Sequence, residues 1–364
     1  MYYQVIDNSI GSDKQKFKNR TFGFFDEDKN QYFSINNRRY LGNKYKLNSF
    51  IKDVITSECG NFDTFADLFA GTGAVASIFQ SKHLILNDIL YFNYLCFQTW
   101  FGVENYSLEK ISYYINQYNE ASVNEDNYMS KTFADTYFSN ENCKKIGFIR
   151  ENIESNYKSN LINYRERCIL ITSLLYAIDK IANTCGHYDA FRKNGELNRK
   201  FDLFIPKINN NNIENEIYNE DINRLVKKVS ADIVYLDPPY NSRQYCDAYH
   251  LLENVARWRK PDVTGVAKKM DRSALKSDYC TSKAVEAFED LIDNIKAKYI
   301  VLSYNNMANK GNERSNAKLS DKEIIRILEA KGKLKTFSQD YKAFSTGKSN
   351  IEENAERLFV CRCY

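Results

Sequence analysis

Apolar and polar positions fall into two well-patterned blocks separated by a long, poorly patterned stretch. In the first block, helical spacing over residues 45–58 predicts a helix, and Thr64–Phe69 reads as a strand. Ala74–Ser81 predicts a helix, His83–Asn87 a second strand and Leu90–Trp100 a further helix, which gives a βαβ unit with the helix that follows it. After Trp100 the pattern degrades into Asn-, Tyr- and Ser-rich sequence until a long apolar helix over Leu161–Ala182. The Asn run at 209–212 marks a loop. Alternation resumes at Glu216, with a strand at 232–236, helices at 246–258 and 283–294, a strand at Tyr299–Ser303 and a helix at 320–331. Two final strands, Lys333–Ser338 and Arg357–Cys363, are separated by a polar loop, and no internal repeat is visible.

This order predicts an α/β fold, Rossmann-like, with a mostly parallel sheet and a terminal antiparallel hairpin. Roughly 140 residues separate the strand ending near Asn87 from the strand starting at Asp232, far more than one helix-plus-strand step needs. Residues 103–205 are therefore expected to form an inserted, largely helical domain between core segments 1–102 and 206–364. If that insertion emerges from the sheet edge that carries the chemistry, it stands where a recognition module is useful.

Composition narrows the class. The chain has 364 residues, 43% of them hydrophobic, with a formal net charge of only +4, so contact with a polyanion must come from local clusters of Lys and Arg. Nine cysteines without a C-x-x-C pair, together with three histidines, argue against a zinc site; no metal is expected, and reduced thiols suit a cytoplasmic protein. The first residues, MYYQVIDNSIGSDK, lack an apolar signal segment, and the longest apolar stretch, near Cys168–Ile178, is too short to span a bilayer.

Candidate chemistry sits at the predicted strand ends. "DIVYLDPPYNS" at 232–242 runs a buried strand into Asp237, Pro238, Pro239 and Tyr240, at the carboxyl edge where open α/β sheets bind ligands. "FADLFAGTGAVA" at 65–76 places Phe69, Gly71 and Gly73 between a strand and a helix, a turn that lets backbone approach a ligand closely. Asp88 closes the next strand, suited to accept hydrogen bonds from ribose hydroxyls. The same turn fits a loose G-x-G-x-x-A dinucleotide pattern, so a nicotinamide oxidoreductase competes. Asp67 tilts the balance: a pyrophosphate would not want that carboxylate, whereas the amino acid end of S-adenosylmethionine would. Upstream, "NNRRYLGNKYKLNSFI" at 36–51 sets Tyr40, Gly42 and Lys44 in a turn; they read either as a solvated surface turn or as a clamp on that cofactor's carboxylate.

"RYLGNK", "DLFAGTG", "LND" and "LDPPY", in this order, resemble the successive motifs of the alpha class of adenine-specific DNA methyltransferases, the Dam-like group. The resemblance covers about residues 38–90 and 216–306, where "VLSYNN" also matches, and more weakly "HYDAFRKNGELNRKFDLFIP" at 187–206. The turn Tyr40-Leu41-Gly42-Asn43 departs from members that carry Trp and small residues there. The resemblance implies a class I S-adenosylmethionine-dependent methyltransferase fold, an inserted target-recognition domain, double-stranded DNA as partner, N6-methyladenine as product, and a place in DNA methylation, with or without a cognate restriction endonuclease. It also implies that Asp221, in "YNEDINRL", lines the adenine pocket of the cofactor; capping of the helix that follows is the alternative.

The chemistry has its own rationale. An adenine amine is a weak nucleophile because its lone pair is delocalised into the ring. If the Asp237 carboxylate and the Pro238 carbonyl each accept one of its protons, the nitrogen moves toward tetrahedral geometry and its lone pair becomes available. Pro238 and Pro239 fix φ and add no competing donor, and Tyr240 offers a stacking face to a base that must be flipped from the duplex. His250 reads as a packed histidine. For phosphates and base edges, Arg192, Lys193, Arg199 and Lys200 supply donors in the insertion. The stretch 257–276, with seven basic residues (among them Arg257, Arg259 and Lys260) and two acidic ones, follows the D-P-P-Y segment. Two other readings stand beside this one: an RNA adenine methyltransferase, and a non-catalytic DNA-binding protein on the same fold.

Overall fold

The computed structural model describes residues 32–209, 214–305, 317–340 and 355–364. The opening segment, Asn210–Asn212 of the Asn run, Asn306 of "VLSYNN" and most of the loop between the last two strands lie outside these described residues.

A short strand β1 (Tyr32–Phe33) pairs in parallel with β4 (Ile205–Pro206), so the start of the described chain is tied to the end of the expected insertion. The main sheet contains β2 (Thr64–Asp67), β3 (His83–Asn87), β5 (Glu216–Tyr218), β6 (Ala231–Leu236), β7 (Ala297–Asn305), β8 (Gly332–Asp340) and β9 (Ala355–Cys363). Its order is β5-β3-β2-β6-β7-β9-β8. Every pair from β5 to β7 is parallel, and β9 runs antiparallel to both β7 and β8, which gives the mostly parallel sheet with a terminal hairpin.

The period of two along the strands divides the core between the sheet's two faces. Phe65, Leu86, Ile233, Tyr235 and Val301 project to one face, where they join helices Asn48–Cys59, Tyr91–Phe101, Tyr164–Ile181 and His250–Arg257. Ala66, Leu68, Val234, Leu236 and Leu302 project to the other, against helices Ala284–Asn294 and Asp321–Lys331. Helices cover both faces, which is why the central strands read as continuous apolar runs.

The stretch after Trp100 is more regular than its composition predicts. It holds helices Leu108–Glu120, Tyr128–Phe133 and Asn140–Lys158 ahead of Tyr164–Ile181. Their buried positions, Ile111, Tyr114, Ile115 and Tyr118 in the first and Cys143, Ile146, Ile149 and Ile153 in the third, follow helical spacing, and they share one hydrophobic cluster with Ile55 and Phe97 of the flanking core.

Two predicted helices differ from expectation. Over 74–81 there is only a tight turn of 3₁₀ helix, Ala76–Phe79. Asn48 Nδ2 and the Ser77 hydroxyl both donate to the Ala74 carbonyl, and the Ile78 amide turns instead to the Val75 carbonyl at 3.0 Å. The helix expected over 246–258 is divided into Tyr245–Ala248 and His250–Arg257. Tyr188 docks at the break: its amide donates to the Ala248 carbonyl at 2.7 Å and its carbonyl meets His250 Nε2 at 2.9 Å. Burial lowers the His250 pKa to about 4, which leaves a neutral, packed imidazole as the sequence suggested.

Candidate active site

Parallel strands β2, β3 and β6 end at a common edge, and the order of strands reverses between β2 and β6. A cavity of about 430 Å³ opens there, lined among others by Tyr40, Gly42, Lys44, Asp67, Phe69, Gly71, Asp88, Asp221, Asp237 and Pro239. The turn after β2, the first residue after β3, the segment after β6 and the 40–44 turn therefore meet at the switch point of the sheet.

The 40–44 turn is fastened by the helix that follows D-P-P-Y. Tyr249 Oη accepts from the Leu41 amide at 2.7 Å, Tyr245 Oη donates to the Leu41 carbonyl at 3.2 Å, and the Tyr40 ring stacks on Tyr249 with centroids 4.6 Å apart. Gly42 has φ +74°, and a Cβ there would stand 2.9 Å from Tyr245 Oη. Gly71, φ +54°, lies against Tyr40, while Gly73, φ +78°, packs away from the cavity lining against Ile35, Phe97 and Phe101. Gly73 thus shapes the turn, and Gly71 faces the ligand space.

Asp88 is fixed by the Gly71 amide at 3.0 Å and the Leu90 amide at 2.8 Å, while Asn219 holds the Asp88 and Ile89 carbonyls. Burial raises its pKa to about 7 despite the amides of Leu90 and Gly71 and the Asn93 side chain. Asp67 is 1% exposed, and its Oδ1 has no hydrogen-bond partner among the described residues. Burial, then the like charge of Asp237, pushes its pKa well above the ordinary carboxylate value. A buried acceptor left unpaired at a cavity wall favours a ligand that brings a positive donor. Asp221 caps Ile222–Leu225, the alternative the sequence offered, by accepting from the Arg224 amide at 3.2 Å, and it also lines the cavity. Phe69 meets Tyr279 edge-to-face at 5.1 Å, forming an aromatic wall beside it.

Asp237 stands one residue beyond β6, its side chain 21% exposed. Lys44 Nζ lies 3.1 Å from Asp237 Oδ1 and 2.9 Å from Glu356 Oε1. Among the described residues two of the three ammonium donors are thus engaged, and the third is open to a ligand carboxylate. Burial raises the Asp237 pKa to about 6, with Lys44 pulling it down and Glu356 pushing it up. Burial opposes the charge on Lys44, yet Asp237 and Glu356 hold that amine well above its ordinary value. Pro238 is buried, and Tyr240 is half-buried, with its carbonyl taken by the Lys318 amide at 2.7 Å and its ring edge-on to Tyr304 at 6.3 Å.

The candidate DNA contacts divide. Lys193 and Arg259 are exposed; Arg192 Nε lies 3.3 Å from Cys185 Sγ, Arg199 pairs with Glu196 at 3.9 Å and Lys200 with Asp202 at 2.8 Å. Lys260 pairs with Glu151 at 2.6 Å. Arg257 is committed within the protein, where at 2.6 Å it neutralises Glu253, a fully buried carboxylate that also accepts the Tyr91 and Phe92 amides. Further along the basic stretch, Lys269 pairs with Asp189, joining that loop to the 187–206 segment, and Arg272 pairs with Asp247 of the helix Tyr245–Ala248. No helix among the described residues is long and apolar enough to cross a membrane.

Sequence reasoning missed Glu356, Tyr245 and Tyr249. The tyrosines carried a signal, two phenols one helical turn apart just after D-P-P-Y. Glu356 carried none, because it meets Lys44 only through the folding of β9 beside β7.

The model of the D12 class N6 adenine-specific DNA methyltransferase family matches residues 40–315. The modification methylase StsI of Streptococcus sanguinis is 40% identical over 74% of this chain and 44% of its own length. The type II methyltransferase M.FokI of Planomicrobium okeanokoites is 32% identical over 88% of this chain and 51% of its own. The type II methyltransferase M.NlaIII of Neisseria lactamica is 32% identical over 88% of this chain and 96% of its own. The chain thus spans about half the length of the first two and nearly all of the third.

Proposed function

Because the chain belongs to the D12 class N6 adenine-specific DNA methyltransferase family, we propose that it transfers a methyl group from S-adenosylmethionine to the exocyclic amine of a flipped-out adenine in double-stranded DNA. The observation that carries this reading is a cavity lined by Asp237, Pro239 and Asp67, whose Oδ1 has no partner among the described residues. The donor fits these residues: a buried orphan acceptor suits its ammonium, the third hydrogen of Lys44 its carboxylate, Asp88 its ribose hydroxyls, and Asp221 beside Phe69 its adenine, with Tyr40, Gly42, Gly71 and Gly73 shaping the turns around it. That cofactor supplies an electrophilic methyl on sulfur.

The protein's own residues prepare the amine. Asp237 accepts one N–H and the Pro238 carbonyl the other, which moves electron density onto nitrogen as the new N–C bond forms. Pro239 and Tyr240 shape the pocket for the flipped base. The extra proton then leaves the nitrogen, with Asp237 as first acceptor, and no covalent enzyme intermediate is required. Residues 103–205 act as the target-recognition domain, with Arg192, Lys193, Arg199 and Lys200 facing DNA; Arg259 and Lys260 add phosphate contacts, and Arg257 supports them through Glu253. A restriction system would share the recognition sequence, without direct contact, in the cytoplasm.

Expression in methylation-deficient cells followed by single-molecule sequencing of the genome tests the reading. N6-methyladenine at one short sequence, absent with Asp237→Ala, is expected. Unmodified DNA from cells that contain folded protein would overturn it, and micromolar NAD binding by calorimetry would restore the oxidoreductase alternative.

A further inference from the structure

Glu356, the buried second partner of Lys44, is not itself part of the cavity lining. Glu356 opens β9 within the hairpin that closes the sheet, and its side chain is 8% exposed. Its Oε1 receives Lys44 Nζ at 2.9 Å and the Ser303 hydroxyl, from β7, at 2.7 Å. Ser303 is fully buried, and the register that sets Asn305 opposite Glu356 brings the carboxylate to Lys44, which lines the cavity. A continuous chain results: Ser303, Glu356, Lys44, Asp237.

An ammonium buried beside a lone carboxylate would settle on it as fully as geometry allows, because nothing else offsets its desolvation. It would then occupy the lone pairs that an adenine amine must use. A second carboxylate on the far side holds the ammonium between two anions. We propose that Glu356, itself held by Ser303, tethers Lys44 on one oxygen of Asp237 and leaves the other to the target amine, making Glu356 a positioning residue for methyl transfer. The inference rests on the methyltransferase reading above.

The groups facing Asp237 are Lys44 from the N-terminal turn, Glu356 from β9, Asp67 from β2, and Tyr235, Tyr240 and Tyr245 from the D-P-P-Y strand and helix. Removing the charge of Glu356 takes away a like charge that raises the Asp237 pKa and gives Lys44 wholly to Asp237, so the carboxylate should ionise at lower pH. Loss of packing alone would lower the melting temperature or the rate without moving that ionisation.

The test uses the full chain, tritiated S-adenosylmethionine and plasmid DNA from methylation-deficient cells, with single-turnover rates measured from pH 5 to pH 9. Absence of methylation by the wild type would overturn the functional reading; the following outcomes bear on Glu356 alone. Glu356→Gln should slow transfer by roughly tenfold to a hundredfold, as for misplaced catalytic groups, and move the acid limb down by about one pH unit, as for loss of a neighbouring charge. Glu356→Asp, with the charge kept but drawn back by one methylene, should lose rate while the acid limb stays in place. An unmoved acid limb in folded Glu356→Gln overturns the proposal. Should Glu356→Gln melt below the assay temperature, Glu356→Asp decides: a wild-type rate overturns the tether, and a slowed rate with an unmoved limb supports it.

Discussion

Buried charge occurs in two regions of this molecule, and the two treat it differently. In the helical layer, Arg150 is fully buried, yet its guanidinium donates to the Val255 carbonyl at 2.8 Å, the Ala256 carbonyl at 3.1 Å and Glu154 at 2.8 Å. Arg167 reaches the same Glu154 oxygen, and Glu166 accepts the Ser107 and Asn163 amides and the Lys110 ammonium. At the sheet edge, Asp237 and Glu356 share the one Lys44 ammonium, the like charges of Asp237 and Asp88 act on Asp67, and Asp67 Oδ1 has no partner among the described residues. Satisfied buried charge fixes how helices sit on one another; unsatisfied buried charge of one sign marks where a complementary ligand belongs. The difference separates charges held by protein partners from those open to a ligand.

The largest break in that comparison is Asp237→Ala. It should reduce methyl transfer by roughly a thousandfold or more, the range seen when a group that acts on transition-state charge is removed. DNA affinity by fluorescence anisotropy should change little, since the basic side chains proposed to meet phosphates lie outside the D-P-P-Y segment. Asn should retain more activity than Ala, because one acceptor oxygen survives. An Ala variant within about tenfold of wild type would remove Asp237 from the catalytic role.

Next comes the satisfied region, where Arg150→Met should cost about 3 kcal/mol or more in chemical denaturation, because two buried helix-end carbonyls lose their donor and Glu154 is left with Arg167 alone. Single-turnover rates of the folded fraction should stay at the wild-type value. A stable, slow variant would reverse the assignment of the two regions.

Third, Asp67→Asn sharpens the contrast through pH. Asp88 has a folded pKa of about 7 against an ordinary value of 3.8, so between those pH values the folded state keeps a proton that the unfolded state has released. Stability from this group is full below about pH 4 and is lost as pH rises through about 7. Asp67, shifted the same way, extends the trend. The ligand-free protein should therefore melt at a lower temperature at pH 8 than at pH 5.5, other groups being equal, and Asp67→Asn should flatten that slope while weakening S-adenosylmethionine binding by roughly tenfold, about 1.4 kcal/mol. A slope identical to wild type would show that the carboxylate is not the strained group.

Legibility in the sequence followed the same division. Strand β6 and its D-P-P-Y end were readable because a parallel strand covered on both faces must be an apolar run, and a carboxylate at its end is conspicuous. The helices between 108 and 158 were not, because Tyr114 and Tyr118 do the packing work of aliphatic residues and the eye counts them as polar. The broken helix at Tyr249 was hidden as well, since its cause is a backbone partner, Tyr188, some sixty residues upstream. Glu356 lies beyond any local pattern: its function arises from the register of β9 on β7.

The smallest effects are expected on two arginines of the insertion, exposed Arg192 and half-buried Arg199. Arg192 and Arg199 are bound less firmly within the protein than Arg150, and each is close to a loop that the Lys269–Asp189 pair joins to the basic stretch. If one of them holds a phosphate, its alanine variant should bind all sequences more weakly and lower the salt slope by about one. If one reads a base edge, the loss should be roughly 1 kcal/mol or a little more, confined to one position of the methylated sequence. The methylome of each variant, compared with wild type, separates these outcomes. We expect at least one substitution between residues 187 and 205 to broaden the modified sequence, because that segment carries exposed donors and is docked through Tyr188 directly onto the helix that follows D-P-P-Y. Unchanged stringency across every such variant would move recognition to the 257–276 stretch, where Arg259 and Lys260 stand.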